Sequence, residues 1–166
     1  MDRSSRGMES RKKQRWQSNR TISVSTLAGI VLWTAQTGTG GGDAVPSSPA
    51  VANGVVYVTS SSGNGIRFEN KLYAFKADGC GQASCAPLWT AQTGFVIDSS
   101  PAVADGVVYV GSQDDKLYAF KADGCGQASC APLWAAQTGG GVSSPAVANG
   151  VVYVGSDDHK LYAFHL

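Results

Sequence analysis

Ser99–Phe120 reads SSPAVADGVVYVGSQDDKLYAF, and Ser143–Phe164 repeats it as SSPAVANGVVYVGSDDHKLYAF. An earlier copy, SSPAVANGVVYVTS, begins at Ser47, and KLYAF stands at Lys71, Lys116 and Lys160. Self-similarity at a fixed period is the mark of a repeat architecture. Asn53-Gly54, Asp105-Gly106 and Asn149-Gly150 suit two-residue type I′ turns, whose central residues both need positive φ. The short SSPAVA before each turn predicts a strand with Pro at its start, where a missing N–H is tolerated. VVYV after it is apolar without alternation, as in a strand buried on both faces. A polar turn (GSQDD or GSDDH) leads to the third strand, KLYAFKA.

Outward from this core, DGCGQASCAPLW occupies Asp78–Trp89 and recurs unchanged at Asp123–Trp134, 45 residues on. It leads to a fourth strand ending in AQTG, a tetrapeptide found at Ala35, Ala91 and Ala136. The first copy carries seven extra residues between Val58 and Lys71, expected to form a loop, and a glycine-rich extension after its first Trp. Four short antiparallel strands per 40–45 residues or so define a propeller blade.

The expected fold is therefore all-β: a β-propeller of four-stranded antiparallel blades, about three in this chain. The blades fall at about 47–94, 99–139 and 143–166, with an additional fourth-type strand at 30–38. That lone strand is what the last blade lacks, so the two ends are expected to share a sheet. Propellers close with about four to eight blades. The chain is thus expected to be a partial propeller, either a piece of a longer one or half of a six-bladed ring completed by self-association.

These residues resemble the pyrroloquinoline-quinone-like (PQQ-like) β-propeller repeat family over about Leu32–Leu166. The match rests on VVYVGSxDxKLYAF followed by a Trp and a closing TG. In that family the third and fourth strands are joined by Ala-x-Asp-x-x-Thr-Gly-x-x-x-Trp, whose Trp packs between blades. Ala74 with Trp89, and Ala119 with Trp134, match its ends. Lys76 and Lys121 stand at the acidic position, and the cysteine loop replaces Thr-Gly. The resemblance implies a blade-docking role for Trp33, Trp89 and Trp134.

Each cysteine pair frames a four-residue tip between neighbouring strands. Such strands lie about 5 Å apart, and bridged Cα atoms need roughly 4.4–6.8 Å. The spacing favours Cys80–Cys85 and Cys125–Cys130 disulfides over zinc, which needs four ligands in one place, or free thiols. Disulfides imply an oxidising compartment: secreted, periplasmic or cell surface.

Net charge is +1, with seven basic and two acidic residues in the first twenty. The remainder, at six basic and ten acidic, does not suit a nucleic-acid-binding face. Residues 1–28 read as a disordered basic tail, with an export leader as the alternative. No stretch reaches the roughly 18 apolar residues of a membrane span.

Quinoprotein dehydrogenases of the superfamily use a stacking Trp, an adjacent cysteine pair and acidic or amide calcium ligands. There is no Cys-Cys dipeptide here, and Glu9 and Glu69 are the only glutamates. Asp114-Asp115 and Asp157-Asp158-His159 read as solvated turn residues. GTGGGD (38–43) lacks the Lys-Ser/Thr of a phosphate loop. No catalytic, cofactor-binding or metal residues are assigned, and no cofactor is expected. The expected function is a non-catalytic extracytoplasmic propeller, a binding scaffold for an unidentified protein or small ligand. The alternatives are a piece of a quinone-dependent dehydrogenase and a truncated propeller without independent function.

Overall fold

The β-branched, apolar repeats form short strands, and the Asn-Gly and Asp-Gly pairs turn them. In the computed structural model, which describes residues 29–38, 45–63 and 68–166, the strands run in chain order as follows. β1 is Thr34–Ala35. β2 (Ala50–Ala52), β3 (Val55–Gly63), β4 (Phe68–Lys76), β5 (Ser84–Cys85) and β6 (Trp89–Gln92) follow. β7 (Ala102–Ala104), β8 (Val107–Ser112), β9 (Lys116–Lys121), β10 (Ser129–Cys130) and β11 (Trp134–Gln137) repeat that order. β12 (Ala146–Ala148), β13 (Val151–Ser156) and β14 (Lys160–His165) end the chain. All belong to one compact unit, Leu32–Leu166. The basic segment 1–28 and residues 39–44, with Gly40–Gly42, lie outside the described residues.

Three blades result. The first is β2-β3-β4-β6, the second β7-β8-β9-β11, and the third β12-β13-β14. Asn53, Asp105 and Asn149 have φ of 49–51°, and Gly54, Gly106 and Gly150 have φ of 74–77°. Both central residues of each hairpin are therefore left-handed, as a type I′ turn requires.

Alternation along each strand decides which blade it touches. Leu72 and Ala74 of β4, with Tyr57 of β3, pack forward onto Ile97, Val108, Val110, Tyr118 and Phe120 of the second blade. Tyr109, Leu117 and Ala119 repeat this against Val142, Val152 and Val154 of the third. Thus Leu72 and Ala74, like Leu117 and Ala119, face the following blade, whereas Tyr118 and Phe120, like Tyr162 and Phe164, face the preceding one. Burying a Leu such as Leu117 contributes about 1.5–3 kcal/mol. At the innermost strands, the amides of Ser48 and Ser100 donate to the hydroxyls of Ser100 and Ser144, each at 2.9 Å, linking blade to blade.

Two expectations are corrected. The insertion in the first repeat does not form a loop throughout. It lengthens β3 and β4 to nine residues each, with Ser61 opposite Asn70 and Gly63 opposite Phe68; only the tip, 64–67, lies outside the described residues. The backbone ladder runs unbroken through the serines. The strand expected at 30–38 is only Thr34–Ala35, and it does not join the third blade. It pairs with β5 instead.

Candidate functional site

The residue types able to carry chemistry gather at the junctions between blades. Cys80–Cys85 and Cys125–Cys130 are disulfides, each with Cα atoms 5.7 Å apart. Each ring shapes the loop between the third and fourth strands, and the loop reaches the preceding fourth strand. Ser129-Cys130 pairs in parallel with Thr90-Ala91, and Ser84-Cys85 pairs in the same register with Thr34-Ala35. The amides of Thr90 and Thr34 donate to the carbonyls of Ala128 (2.9 Å) and Ala83 (2.8 Å). Their hydroxyls donate to the same carbonyls at 3.1 Å. The disulfide loop is thus a clasp between one blade and the next. Sequence reasoning placed the loop but missed this pairing. The signal was there: WTAQTG is identical at Trp33–Gly38 and Trp89–Gly94, each upstream of an identical loop.

Each clasp closes over a tryptophan. Trp89 is 4% exposed, and its indole N–H donates to the Ala122 carbonyl at 3.2 Å. The Tyr57 hydroxyl donates to that same oxygen at 3.0 Å. Trp33 repeats the contact to the Ala77 carbonyl at 3.3 Å. Gly124 and Gly79 lie flat on the two indoles. A Cβ on either would stand 2.6 or 2.7 Å from the ring's Cδ1. Trp134 packs on Tyr109, centroids 5.9 Å apart, but is only half-buried. Among the described residues no cysteine loop follows the third blade to cover it.

Asp114 and Asp158 are not the solvated turn residues expected. Their side chains are 16% and 12% exposed. The Tyr118 hydroxyl donates to Asp114 Oδ2 at 2.5 Å, and Tyr162 donates to Asp158 at 2.7 Å. Those phenols in turn accept from the amides of Gly94 (3.3 Å) and Gly139 (3.1 Å) at the end of the preceding blade. The Gly of AQTG is needed because a Cβ at Gly94 or Gly139 would collide with the aspartate. Burial, then the bond to Asp114, pushes the Tyr118 phenol up to about 12. Lys160, bonded at 2.8 Å, and then Tyr162 hold Asp158 well below the usual carboxylate range.

Two open clefts flank the first junction. One of about 440 Å³ is lined by Asn53, Tyr57, Asp105, Lys121 and Asp123; another of about 570 Å³ lies between Leu88 and the second cysteine loop. Among the described residues no cluster of three metal-ligating side chains occurs. A quinone cofactor does not fit the donor set. Trp89 is enclosed with both faces packed, the cysteines are bridged five positions apart, and Asp114 and Asp158 are engaged by tyrosines.

Stacked four-stranded sheets with a docking Trp define a PQQ-like β-propeller. Residues 69–165 match the family model described as outer membrane protein assembly factor BamB, and the chain belongs to that PQQ-like repeat family. Curated protein sequences give no match. Among solved structures, the chain is similar to the computationally designed Ika4 protein, with TM-score 0.51, 15% identity, and coverage of 71% of this chain and 64% of that one. It is similar to a quinohemoprotein alcohol dehydrogenase from Pseudomonas putida HK5, with TM-score 0.52, 21% identity, and 72% and 18% coverage. A europium-containing methanol dehydrogenase matches with TM-score 0.52, 18% identity, and 70% and 22% coverage. At these identities the likeness is one of fold. The chain spans less than two thirds of each of these proteins.

Proposed function

We propose that this chain is a non-catalytic PQQ-like propeller of an oxidising, extracytoplasmic compartment (secreted, periplasmic or cell surface) that serves as a binding scaffold. One observation carries the reading. The Trp, Cys, Tyr and Asp side chains recur from junction to junction in the same structural contacts. A catalytic centre needs a constellation that departs from the repeat, because its groups converge on one reacting atom. Here the chemistry-bearing groups are spread evenly and tie blades together. The disulfide loops support the compartment, since such bonds persist under oxidising conditions. The family's description, an outer membrane protein assembly factor, supports a protein as the bound partner.

Titration of the purified, oxidised chain with quinone cofactor and Ca²⁺ tests the reading. The cofactor's absorption spectrum should stay that of the free quinone. Saturable binding near one equivalent, with dye-linked alcohol oxidation, would put the chain among the dehydrogenases instead. Alkylation before and after reduction completes the test: all four cysteines should react only after reduction.

A further inference from the structure

The two ends of the blade stack are complementary. The third blade has its three inner strands, and among the described residues nothing pairs with the outer edge of β14. At the other end, β1 lies as a fourth strand held by the β5 clasp, and the described residues contain no inner strands of its own. The sequences say what each lacks. β1 begins the same WTAQTG as β6, and β14 carries the same KLYAF as β4. Within the chain β6 pairs on β4, with Trp89 opposite Ala74, Thr90 opposite Tyr73, Ala91 opposite Leu72 and Gln92 opposite Lys71.

Burial tells the same story. Leu72 and Leu117 are fully buried by the following blade, whereas Leu161 is 74% exposed and Tyr153 is 38% exposed. On the opposite end, Val56 and Val58 are half-buried where Val108 and Val110 are fully buried, and Val45 is 48% exposed where Ile97 is fully buried. The uncovered forward face and the uncovered backward face are therefore the two halves of the junction the chain already makes twice.

We infer that two copies of this chain close a six-bladed ring, each lending its β1 to the β14 edge of the other. Trp33 of one copy then lies opposite Ala163 of the other, Thr34 opposite Tyr162, Ala35 opposite Leu161 and Gln36 opposite Lys160. Leu161 is buried against Val56 and Val58, and the Tyr153 hydroxyl reaches the Ala77 carbonyl, as Tyr57 reaches that of Ala122. Among the described residues, each copy brings three sets of inner strands and three fourth strands. One copy gives three blades and three copies give nine. Only two copies fall within the roughly four to eight blades at which propellers close. Strand addition to a free sheet edge is an ordinary mode of association, and a two-fold pair satisfies both ends at once.

Light scattering on the full chain should give twice the 17.1 kDa of one chain. Leu161→Asp buries a carboxylate in the new junction but touches solvent in a single chain. It should abolish the dimer while leaving the far-ultraviolet circular dichroism and both disulfides intact. Ala35→Cys with Leu161→Cys should link copies into a covalent dimer and nothing larger, because directly opposed Cβ atoms lie about 4.5–5.5 Å apart. A monomer at all concentrations, a ladder of larger cross-linked species, or a dimer that survives Leu161→Asp would each overturn the inference.

Discussion

Trp89→Ala is the sharpest test of the junction, because the structure supplies its own control in Trp134. A buried Trp removes on the order of 200 Å² from water. At about 25 cal/mol per Å² that is roughly 5 kcal/mol as an upper figure. Loss of the indole N–H adds little, since the Ala122 carbonyl keeps the Tyr57 hydroxyl as donor. The enclosure of Trp89 by Gly124 and Cys130 leaves a cavity that relaxes poorly. The expected loss is about 3–5 kcal/mol, the range for Trp and Phe truncations in cores. Trp134 occupies the same strand position and packs on the equivalent tyrosine, but among the described residues no loop covers it. Its greater exposure predicts a smaller loss for Trp134→Ala than for Trp89→Ala. Urea unfolding followed by far-ultraviolet circular dichroism measures both on one scale. Equal losses for the two variants would refute the view that the cysteine loop, rather than the strand position, makes Trp89 costly to remove. An unchanged midpoint for Trp89→Ala would remove it from the core.

Further outcomes follow from the same contacts. Gly124 (φ 81°) and Gly126 (φ 77°) are both left-handed, but only Gly124 faces an indole. Alanine at either should cost about 1–2 kcal/mol in backbone strain, and Gly124→Ala should exceed Gly126→Ala in thermal melts by the displacement of Trp89. Replacing Cys125 and Cys130 by serine should cost roughly 2 kcal/mol for so small a ring; hydrogen exchange at the Thr90 amide should accelerate, and unchanged protection there would deny the clasp. Tyr118 is raised to about 12 in the folded chain, above the ordinary 10.0. A raised folded pKa gives stability that is fully present below pH 10 and lost as pH rises through about 12, so Tyr118→Phe should flatten the alkaline limb of a pH–stability profile.

Much of this molecule was legible in its sequence because repetition announces itself. Ser99–Phe120 and its copies marked the strands, the Asn-Gly and Asp-Gly turns, and the number of blades. The cysteine spacing matched the two bonds that the structure forms. What stayed hidden was the partner of each face. VVYV and KLYAF show by pattern that both faces are covered, but not that Leu72 looks forward and Tyr73 back, since strand alternation has no direction of its own. The parallel pairing of Ser129-Cys130 with Thr90-Ala91 spans two residues, too few for a periodic signal. Asp114 looked like an ordinary turn residue because the phenol and glycine that enclose it come from a strand and a neighbouring blade.

The identical junctions also bear on how such a chain changes length over evolutionary time. The cysteine loop meets WTAQTG in the same register at Thr34-Ala35 and at Thr90-Ala91, and the fourth strand meets KLYAF in the same register in the first two blades, so excising or duplicating one 45-residue unit leaves such contacts with their customary mates. Blade count is then a quantity that local side-chain selection does not record. Curvature alone, the angle at which one sheet leans on the next, sets how many units close a circle. Unequal recombination within the gene therefore delivers products that fold at every seam and fail, if at all, only at the last one.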